Sequence, residues 1–405
     1  MRIVDVTEFF SERGGGVRSH LTSKGAYLKS AGHQQIVFAP GPKAGWHEGL
    51  KNVRGTSTGG ESAPLFDGTP LLRVVPGPRL PYDPSYSVLW NIRRIRREVA
   101  LLGPDVVEAH SPYVAAASVT RDRGSPGQVR TMVWHSDFVD TNAEVLRQLA
   151  PKMRTPIAGI EAAGWRWARH LAARSDATLV AARWQKEKLD RHGMARVQLL
   201  PFGVDTTLFS PAARSEALRH ELLGGAEPGT KLVMAIGRMS VEKRWWDVFE
   251  SFLHARAQGA QARLVVLGDG PERSALEARY GAHPAIAFLG FESNRERLAS
   301  ILASGDVLLH ACPFETFGLA VAEALATGLY AVLPREGGAA EFCDEDRARS
   351  YQPGNASEAA AVLRAQLLRP YDGKRGFSRS EASYFNDLVS LYAELRATRL
   401  HGSAS

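Results

Sequence analysis

Short apolar runs alternate with amphipathic segments along most of the chain, which predicts β-strands separated by α-helices. The runs have the length of buried strands, and the segments between them place apolar residues on one helix face. Regular alternation of this kind is typical of a parallel sheet with helices on both faces. The predicted strands are Arg2–Thr7, Gln34–Ala39, Leu71–Val75, Val106–His110, Val129–Trp134, Ala177–Ala182, Val197–Leu200, Leu232–Ile236, Leu264–Leu267, Ile286–Leu289, Val307–His310 and Tyr330–Leu333.

The predicted helices lie between and after these strands, and one long interval is predicted to be a loop. That interval, Pro40–Pro64, is rich in Gly, Pro and Ser and has no apolar period. Thr316 and Ser357 precede two of the helices and are predicted to cap them. The predicted helices are Val17–Ala31, Ser85–Leu102, Pro112–Arg121, Val145–Met153, Ile160–Arg174, Trp246–Gln258, Glu272–Tyr280, Arg295–Ala303, Phe317–Thr327, Glu358–Leu368 and Ser380–Arg396.

The alternation divides into two series, which predicts an α/β protein of two Rossmann-like, doubly wound parallel-sheet domains facing across a cleft. The segment Pro201-Phe-Gly-Val204 marks a hinge, and the second series begins at Lys231. The predicted domains cover residues 1–201 and 202–377, and a terminal helix in 378–405 packs back towards the first domain. Because ligands bind preferentially at domain interfaces, the cleft is the expected site.

Composition narrows the class of protein. The chain has 405 residues, 44% of them hydrophobic and 23% charged, as in a soluble globular protein with a full core. A net charge of +7 suits anionic ligands or an anionic membrane, whereas the absence of an aromatic-basic array disfavours nucleic acid. With no signal-peptide pattern and no long apolar run, we expect a cytoplasmic protein. Cys312 and Cys343 lack CxxC spacing and are expected to be reduced thiols.

The stretch from Pro313 to Ala326 carries two acids beside a predicted helix start. Glu315 lies in the loop before the helix, and Glu323 lies about two turns along it. The first amides of a helix are unpaired donors at the positive end of its dipole, which predicts an anion site. Acids beside an anion site suit a sugar nucleotide; the alternative is a capped amphipathic helix with a solvated acid. The amides concerned are those of Phe317, Gly318 and Leu319.

Two further signals lie in the first domain. The glycine-rich turn Glu12–Val17 follows the first strand and precedes a helix, which is typical of a mononucleotide site although the full GxGxxG pattern is absent. His110 and His135 each end a predicted strand, where parallel sheets bind their ligands. A flexible turn and structural histidines are the alternatives.

Basic residues cluster on two predicted helices. Arg93, Arg94, Arg96 and Arg97 lie on one, and the other carries arginines with Trp165 and Trp167. Both clusters fit solvated faces, and the second also fits a helix resting on a membrane surface.

The motifs together resemble the retaining family-four glycosyltransferases of the GT-B fold. They follow the family's order over nearly the whole chain, although each alone is a weak signal. The matching segments are Gly14-Gly-Gly-Val17, Trp134-His-Ser-Asp-Phe138, Leu200-Pro-Phe-Gly-Val-Asp205, Gly237-Arg-Met-Ser-Val-Glu-Lys243, Gly268-Asp-Gly-Pro271, Phe314-Glu-Thr-Phe-Gly-Leu319 with Glu323, and Gly337-Gly-Ala-Ala-Glu341.

The resemblance implies an acceptor domain, then a donor domain, and a role for each matching residue. Arg238 and Lys243 would hold the donor diphosphate and neutralise the leaving group. Glu315 would contact the transferred sugar, and Glu323 the ribose. The resemblance further implies that His135 lines the sugar site, that Gly15 and Gly16 lie against the diphosphate or sugar, that Phe291 lies near the base, and that Phe317, Gly318 and Leu319 contribute to donor binding.

The sequence departs from the family pattern at three positions. Phe202 stands where the family often has Asn, Arg244 where it often has Gly, and Ala340 where it often has Pro. The first leaves the details of the hinge open, and the second adds a cation beside the donor. Asp344-Glu-Asp346 has the DxD form that another glycosyltransferase fold uses for metal, but the cations at Arg238 and Lys243 make a metal unnecessary.

The resemblance predicts a metal-independent retaining hexosyltransferase. It would move a sugar from a nucleoside-diphosphate sugar to a lipid or glycan hydroxyl in cell-envelope or surface-polysaccharide synthesis. The sugar nucleotide is a co-substrate, and no cofactor is expected. A cytoplasmic enzyme in peripheral contact with the inner face of an anionic membrane is expected. The alternatives are a GT-B sugar-nucleotide epimerase, a nicotinamide oxidoreductase and a non-catalytic sugar-nucleotide-binding protein.

Overall fold

A computed structural model shows two parallel α/β units, as predicted, joined by paired crossing segments. Gly15 and the predicted helix Val145–Met153 lie outside the residues that it describes. Statements about structure below concern the described part of the chain, which is 1–8, 10, 16–50, 68–80, 83–120, 127–137, 139–140, 143, 154–344 and 346–402.

The first sheet has eight strands in the order β10-β9-β8-β7-β1-β2-β4-β3, all parallel except the antiparallel edge pair β3–β4. Its central strand is buried from Ile3 to Val6 and is apolar there except for Asp5, as expected where helices cover both faces. The strands are β1 Arg2–Thr7, β2 Gln34–Gly41, β3 Gly45–Glu48, β4 Leu71–Pro76, β7 Val106–His110, β8 Val129–Val133, β9 Ala177–Val180 and β10 Val197–Leu199, and a separate hairpin contains β5 Arg79–Leu80 and β6 Asp83–Ser87.

The second sheet has six parallel strands in the order β13-β12-β11-β14-β15-β16. The order runs outward on both sides of β11 and β14, which creates a crevice at their carboxyl ends. Lys243 and His310 line that crevice. The strands are β11 Lys231–Ile236, β12 Ala262–Leu267, β13 Ile286–Gly290, β14 Val307–Leu309, β15 Tyr330–Pro334 and β16 Ala348–Tyr351.

Helices connect the strands and cover the sheets. The α-helices are α1 Gly16–Ser30, α2 Ile92–Leu102, α3 Val114–Thr120, α4 Arg154–Ala172, α5 Arg183–Arg191, α6 Glu216–Leu223, α7 Trp245–Ala257, α8 Arg273–Tyr280, α9 Arg295–Ala303, α10 Leu319–Ala326, α11 Ala356–Leu367 and α12 Glu381–Gly402. Three short 3-10 helices cover Pro211–Ala213, Val241–Lys243 and Gly338–Phe342.

Two chain segments cross between the units side by side. Val204 accepts a hydrogen bond from the amide of Glu381 at 2.9 Å, and its own amide donates to Arg379 O at 3.0 Å. Gly203 is required here because a Cβ atom would lie 2.1 Å from Ser380 O. The predicted hinge is therefore one half of a double crossing, and the second half leads into α12. The exact domain boundaries remain a prediction.

Several element predictions were wrong at their ends. The predicted helix Ser85–Leu102 begins only at Ile92, because Asn91 caps it by accepting from the Arg94 amide at 3.1 Å and the preceding residues form β6. Helix α11 begins at Ala356 rather than Glu358, since Asn355 and not Ser357 is its cap. The predicted loop Pro40–Pro64 contains β3, and the prediction missed β16, α5 and α6.

Candidate active site

Lys243 and Glu315, both predicted donor-site residues of the second unit, lie in contact at the crevice. Lys243 Nζ lies 2.7 Å from Glu315 Oε1, and His310 Nε2 lies 3.3 Å from the same oxygen. The side chains of Lys243 and Glu315 keep 24% and 19% of their surface exposed. The pair is thus ordered yet open to a ligand, which suits groups that change partners on binding.

The electrostatics keep both groups charged. Burial alone would raise the pKa of Glu315, but Lys243 and His310 outweigh it and hold that pKa well below its usual range. Burial would lower the pKa of Lys243, but the acidic groups of Cys312 and Glu315 raise it instead. Because burial raises the pKa of the Cys312 thiol to about 12, the anion facing Lys243 at neutral pH is Glu315.

Glycines allow three loops to pack closely at this crevice. A Cβ atom on Gly338 would lie 2.7 Å from the backbone of Phe317, and one on Gly337 would lie 2.3 Å from Pro313 O. A Cβ atom on Gly268 would lie 1.9 Å from Gly237 O. The glycine motifs therefore hold the loop of Glu315 and the loop of Arg238 in place.

The start of α10 differs from the prediction. The helix begins at Leu319 with Gly318 as its N-cap residue, at φ +97°, so Thr316 does not cap it. Instead, the Thr316 hydroxyl donates to His135 O at 3.0 Å and joins the two units. The Phe317 side chain is buried against Phe202, so only its backbone is available to a donor.

Glu323 lies in a different environment from Glu315. Its carboxylate is buried on α10 and accepts from Arg295 at 2.8 Å. Burial raises its pKa, although Arg295 opposes the rise. Glu323 lines a pocket with residues of both units, among them His20, Gly203 and Leu319. The predicted ribose contact would require a ligand in that pocket.

Arg238, Gly16 and Phe291 are further described residues that were predicted to bind the donor. Arg238 follows β11, and its carbonyl accepts from the Trp245 indole at 2.7 Å. Gly16 begins α1, and a Cβ atom on it would lie 3.8 Å from Leu319 Cδ1 across the cleft. Phe291 follows β13 and is 49% exposed.

His135 belongs to the first unit, and its carbonyl accepts from Thr316 in the loop of Glu315. Its Nε2 lies 2.8 Å from His110 Nδ1, and its ring stacks on Phe202 with 5.7 Å between centroids. Burial holds the pKa of His135 well below its usual range, and the neighbouring His110, His20 and Lys24 add to the shift. The imidazole of His135 is therefore neutral at physiological pH.

A buried charge cluster behind His135 was not predicted. Lys24 Nζ lies 2.6 Å from Asp5 Oδ1 and 2.8 Å from Glu108 Oε1, and all three side chains have no exposed surface. The hydroxyl of Tyr392, from α12, donates to Glu108 Oε2 at 2.7 Å. Acids inside apolar strands and a lysine on the apolar face of α1 were the available signals, because such residues are rarely buried unless paired.

Two other features singled out in the sequence, the DxD-like segment and Trp165, make contacts within the protein. Asp344, the first acid of the DxD-like segment, accepts from the amide of Ala348 at 3.1 Å and stabilises a turn. Trp165 is buried and stacks on Trp134 and His192, so the suggestion that it rests on a membrane surface was wrong. Trp167 remains 44% exposed.

Family models match both halves of the chain. Residues 14–208 match the family described as Glycosyltransferase Family 4. Residues 230–369 match the family described as Glycosyl transferases group 1. The chain belongs to the family-four glycosyltransferases. The predicted family is therefore confirmed, and the nicotinamide oxidoreductase is excluded.

Relatives of this glycosyltransferase span nearly its full length. A GDP-mannose-dependent alpha-(1-6)-phosphatidylinositol dimannoside mannosyltransferase of Mycobacterium tuberculosis is 30% identical, over 95% of this chain and 92% of the relative. A GDP-mannose-dependent alpha-mannosyltransferase of Corynebacterium glutamicum is 28% identical, over 85% of this chain and 75% of the relative.

Solved structures confirm the GT-B fold of this glycosyltransferase. Sucrose-phosphate synthase from Thermosynechococcus elongatus aligns with a TM-score of 0.73 at 16% identity, covering 98% of this chain and all of that one. Anabaena HepE in complex with UDP and glucose aligns with a TM-score of 0.63 at 17% identity, covering 100% and 98%. No helix among the described residues is long and apolar enough to cross a membrane.

Proposed function

We propose that this glycosyltransferase moves a hexose from a nucleoside-diphosphate sugar to a lipid or glycan hydroxyl with retention of anomeric configuration. The observation that carries the proposal is the link between the two halves of the site. The hydrogen bond from Thr316 to His135 O ties the loop that carries Glu315, the partner of Lys243, to the backbone of His135 in the other unit. A donor bound at Lys243 would then present its sugar to His135.

Donor binding would exchange ionic partners at this pair. A diphosphate offers Lys243 a stronger anionic partner than one carboxylate, and Arg238 follows the neighbouring strand β11. Glu315, once released, would accept hydrogen bonds from sugar hydroxyls. The ionised state of Glu315 supports that role because a carboxylate only accepts hydrogen bonds.

We propose a same-face substitution as the route to retention. The acceptor hydroxyl forms the new bond to the anomeric carbon while the bond to the diphosphate oxygen breaks, and the departing diphosphate takes the acceptor's proton. Lys243, Arg238 and the first amides of α10 would stabilise the negative charge that develops on the leaving group. His135, held neutral by its surroundings, would position the sugar and not act as an obligatory base.

GDP-mannose is the donor we propose to test first. Two relatives described above carry that donor in their names, which supports the choice. UDP-glucose is the matched alternative, since HepE binds UDP and glucose in a similar fold. Phosphatidylinositol mannosides are the first acceptors, because the name of the Mycobacterium tuberculosis relative includes one.

A membrane contact completes the proposal. An acceptor lipid lies in a membrane, and the chain carries a net charge of +7, with Trp167 and Trp90 exposed. We propose peripheral binding to the inner face of an anionic membrane from the cytoplasm. Co-sedimentation with phosphatidylglycerol vesicles at low salt tests this, and absence of binding there would leave the basic faces as solvated surface.

A turnover assay tests the central proposal. Purified protein is incubated with each sugar nucleotide, with and without the lipid acceptor, and with EDTA in a parallel arm. We expect acceptor-dependent release of nucleoside diphosphate that survives the chelator. Release of an altered sugar nucleotide without acceptor would indicate an epimerase, and binding without turnover would indicate a non-catalytic module. Loss of activity in EDTA, restored by magnesium or manganese, would contradict metal independence.

A further inference from the structure

The residues behind His135 form a continuous hydrogen-bonded chain from the cleft into the core. His135 Nε2 lies 2.8 Å from His110 Nδ1, and His110 Nε2 lies 3.0 Å from Asp5 Oδ1. Asp5 and His110 have no exposed surface. Buried polar chains of this kind persist only where each member is satisfied, so the arrangement is strongly constrained.

The chemistry of Asp5 fixes the protons along this chain. An ionised carboxylate only accepts hydrogen bonds, so the facing Nε2 of His110 carries a proton. When the His110 imidazole is neutral, its Nδ1 is an acceptor, and the 2.8 Å contact is then a hydrogen bond donated by His135 Nε2. The remaining nitrogen of His135, Nδ1, is consequently an acceptor.

Asp5 is itself held in place by three donors. Lys24 Nζ lies 2.6 Å from Oδ1, and Gln35 Nε2 donates to Oδ2 at 2.8 Å. Burial would raise the pKa of Asp5, but Lys24 and His110 outweigh it and keep that pKa well below its usual range. At the end of the cluster opposite His135, the Tyr392 hydroxyl accepts a hydrogen bond from Lys24 Nζ at 3.0 Å.

We propose that Asp5 and His110 are positioning residues for glycosyl transfer, because they fix His135 in the tautomer whose Nδ1 accepts a hydrogen bond from a substrate hydroxyl. This inference rests on the proposed function for its substrate. It adds to that proposal a tautomer and the two residues that impose it.

Geometry favours this hydrogen-bonded chain over a metal centre. His20, His110 and His135 place ligand nitrogens within 4.8 Å of one another. Two imidazoles on one tetrahedral zinc ion would have nitrogens about 3.3 Å apart, given Zn–N bonds of about 2.0–2.1 Å. The 2.8 Å between His110 Nδ1 and His135 Nε2 is shorter and matches a hydrogen bond.

Nitrogen NMR of the histidine side chains tests the tautomer without any substrate. In wild-type protein labelled with 15N-histidine at pH 7, we expect His135 to be neutral with its proton on Nε2. The signals are assigned by comparison with His135→Gln. A proton on Nδ1, an equal mixture of tautomers or an imidazolium would overturn the proposal. This result stands even if no sugar transfer is found, in which case only the proposed function fails.

Kinetics separate positioning from a purely structural effect. His110→Phe removes the acceptor for His135 Nε2 but keeps a ring, and we expect kcat to fall about 10- to 100-fold with a much smaller change in the donor KM. His110→Asn restores an acceptor oxygen near the position of Nδ1 and should recover most of the activity. If His110→Phe and His110→Asn have the same kcat, the proposal is contradicted.

Tyr392→Phe is the matched control for the buried cluster. It removes one hydroxyl at the end of the cluster farthest from His135 in the chain of hydrogen bonds. We expect a lower Tm but a kcat within about twofold of wild type, because His110 still accepts from His135. The two variants are compared in both kcat and Tm. If they lose a similar amount of Tm and His110→Phe lowers kcat no more than Tyr392→Phe does, then His110 is only structural.

Discussion

Two lysine–carboxylate clusters in this glycosyltransferase have the same chemistry and opposite surroundings. Lys243 and Glu315 keep 24% and 19% of their side-chain surface exposed, at the carboxyl ends of the second sheet. Lys24, Asp5 and Glu108 have no exposed side-chain surface and lie inside the first unit. An exposed pair can exchange a partner for a ligand, whereas a buried cluster loses stability if any member is removed. Accessibility therefore separates the ion pair suited to binding from the one suited to holding structure.

Lys24→Ala should produce the largest effect, and the effect should be on stability. The substitution leaves Asp5 and Glu108 buried without their ammonium partner, and such a loss typically costs about 3–5 kcal/mol. Urea unfolding followed by circular dichroism measures it. Lys29→Ala, at an exposed position of the same helix, is the control and should change stability by about 0.5 kcal/mol or less. Equal stability of the two variants would contradict the role given to the buried cluster.

Lys243→Ala should reduce activity and leave the fold intact. Loss of one charge-assisted contact to the developing diphosphate costs about 3 kcal/mol, or about a hundredfold in kcat/KM. Steady-state kinetics with the active donor measures the loss, and Tm should stay near the wild-type value because Glu315 remains partly exposed beside His310. Lys374→Ala, at an exposed position of the same unit, should be silent. A wild-type rate for Lys243→Ala would remove this lysine from the donor site.

Glu8 differs from the acids of both clusters because no cation among the described residues contributes to the shift of its pKa. Burial raises the pKa of Glu8 to about 8, against opposing hydrogen bonds from backbone amides. Its contribution to stability is fully present below its unfolded pKa and is lost as pH rises through about 8. We therefore expect Glu8→Gln to gain Tm relative to wild type on going from pH 5 to pH 9. A constant difference between the two proteins across that range would contradict the raised pKa.

The sequence singled out Lys243 and Glu315 as candidate site residues but missed the buried cluster, and the difference has a physical reason. Lys243 and Glu315 stand in segments whose residue types bind phosphate and sugar, so each segment signals its chemistry alone. Lys24 meets Asp5, Glu108 and Tyr392 across 19, 84 and 368 positions of the chain, and only the folded arrangement brings them together. In the sequence, each of these residues stands as a single polar residue within an apolar segment.

Two helices begin later than the sequence predicted. The helix at Ile92 starts where Asn91 can cap it, whereas the periodicity of the preceding residues alone did not exclude an earlier start. Gly318, and not Thr316, is the N-cap residue of α10, and it adopts φ +97°, a left-handed conformation that glycine tolerates readily. The helix therefore starts at Leu319, two residues later than predicted, and the Thr316 hydroxyl contacts His135 O in the other unit. The architecture of two parallel-sheet units followed from apolar patterns, which depend less on single contacts, whereas the order of strands within each sheet was not predicted.

The anomeric configuration of the first product tests the central claim most directly. The proposed substitution occurs on the face of the departing diphosphate, so an α-linked sugar nucleotide should yield an α-glycoside. Proton NMR of the product, recorded early in the reaction with the active donor and acceptor, reports the configuration from the anomeric coupling. An α-linked product is the predicted result. A β-linked product, or a glycosyl ester trapped on Glu315, would contradict the account.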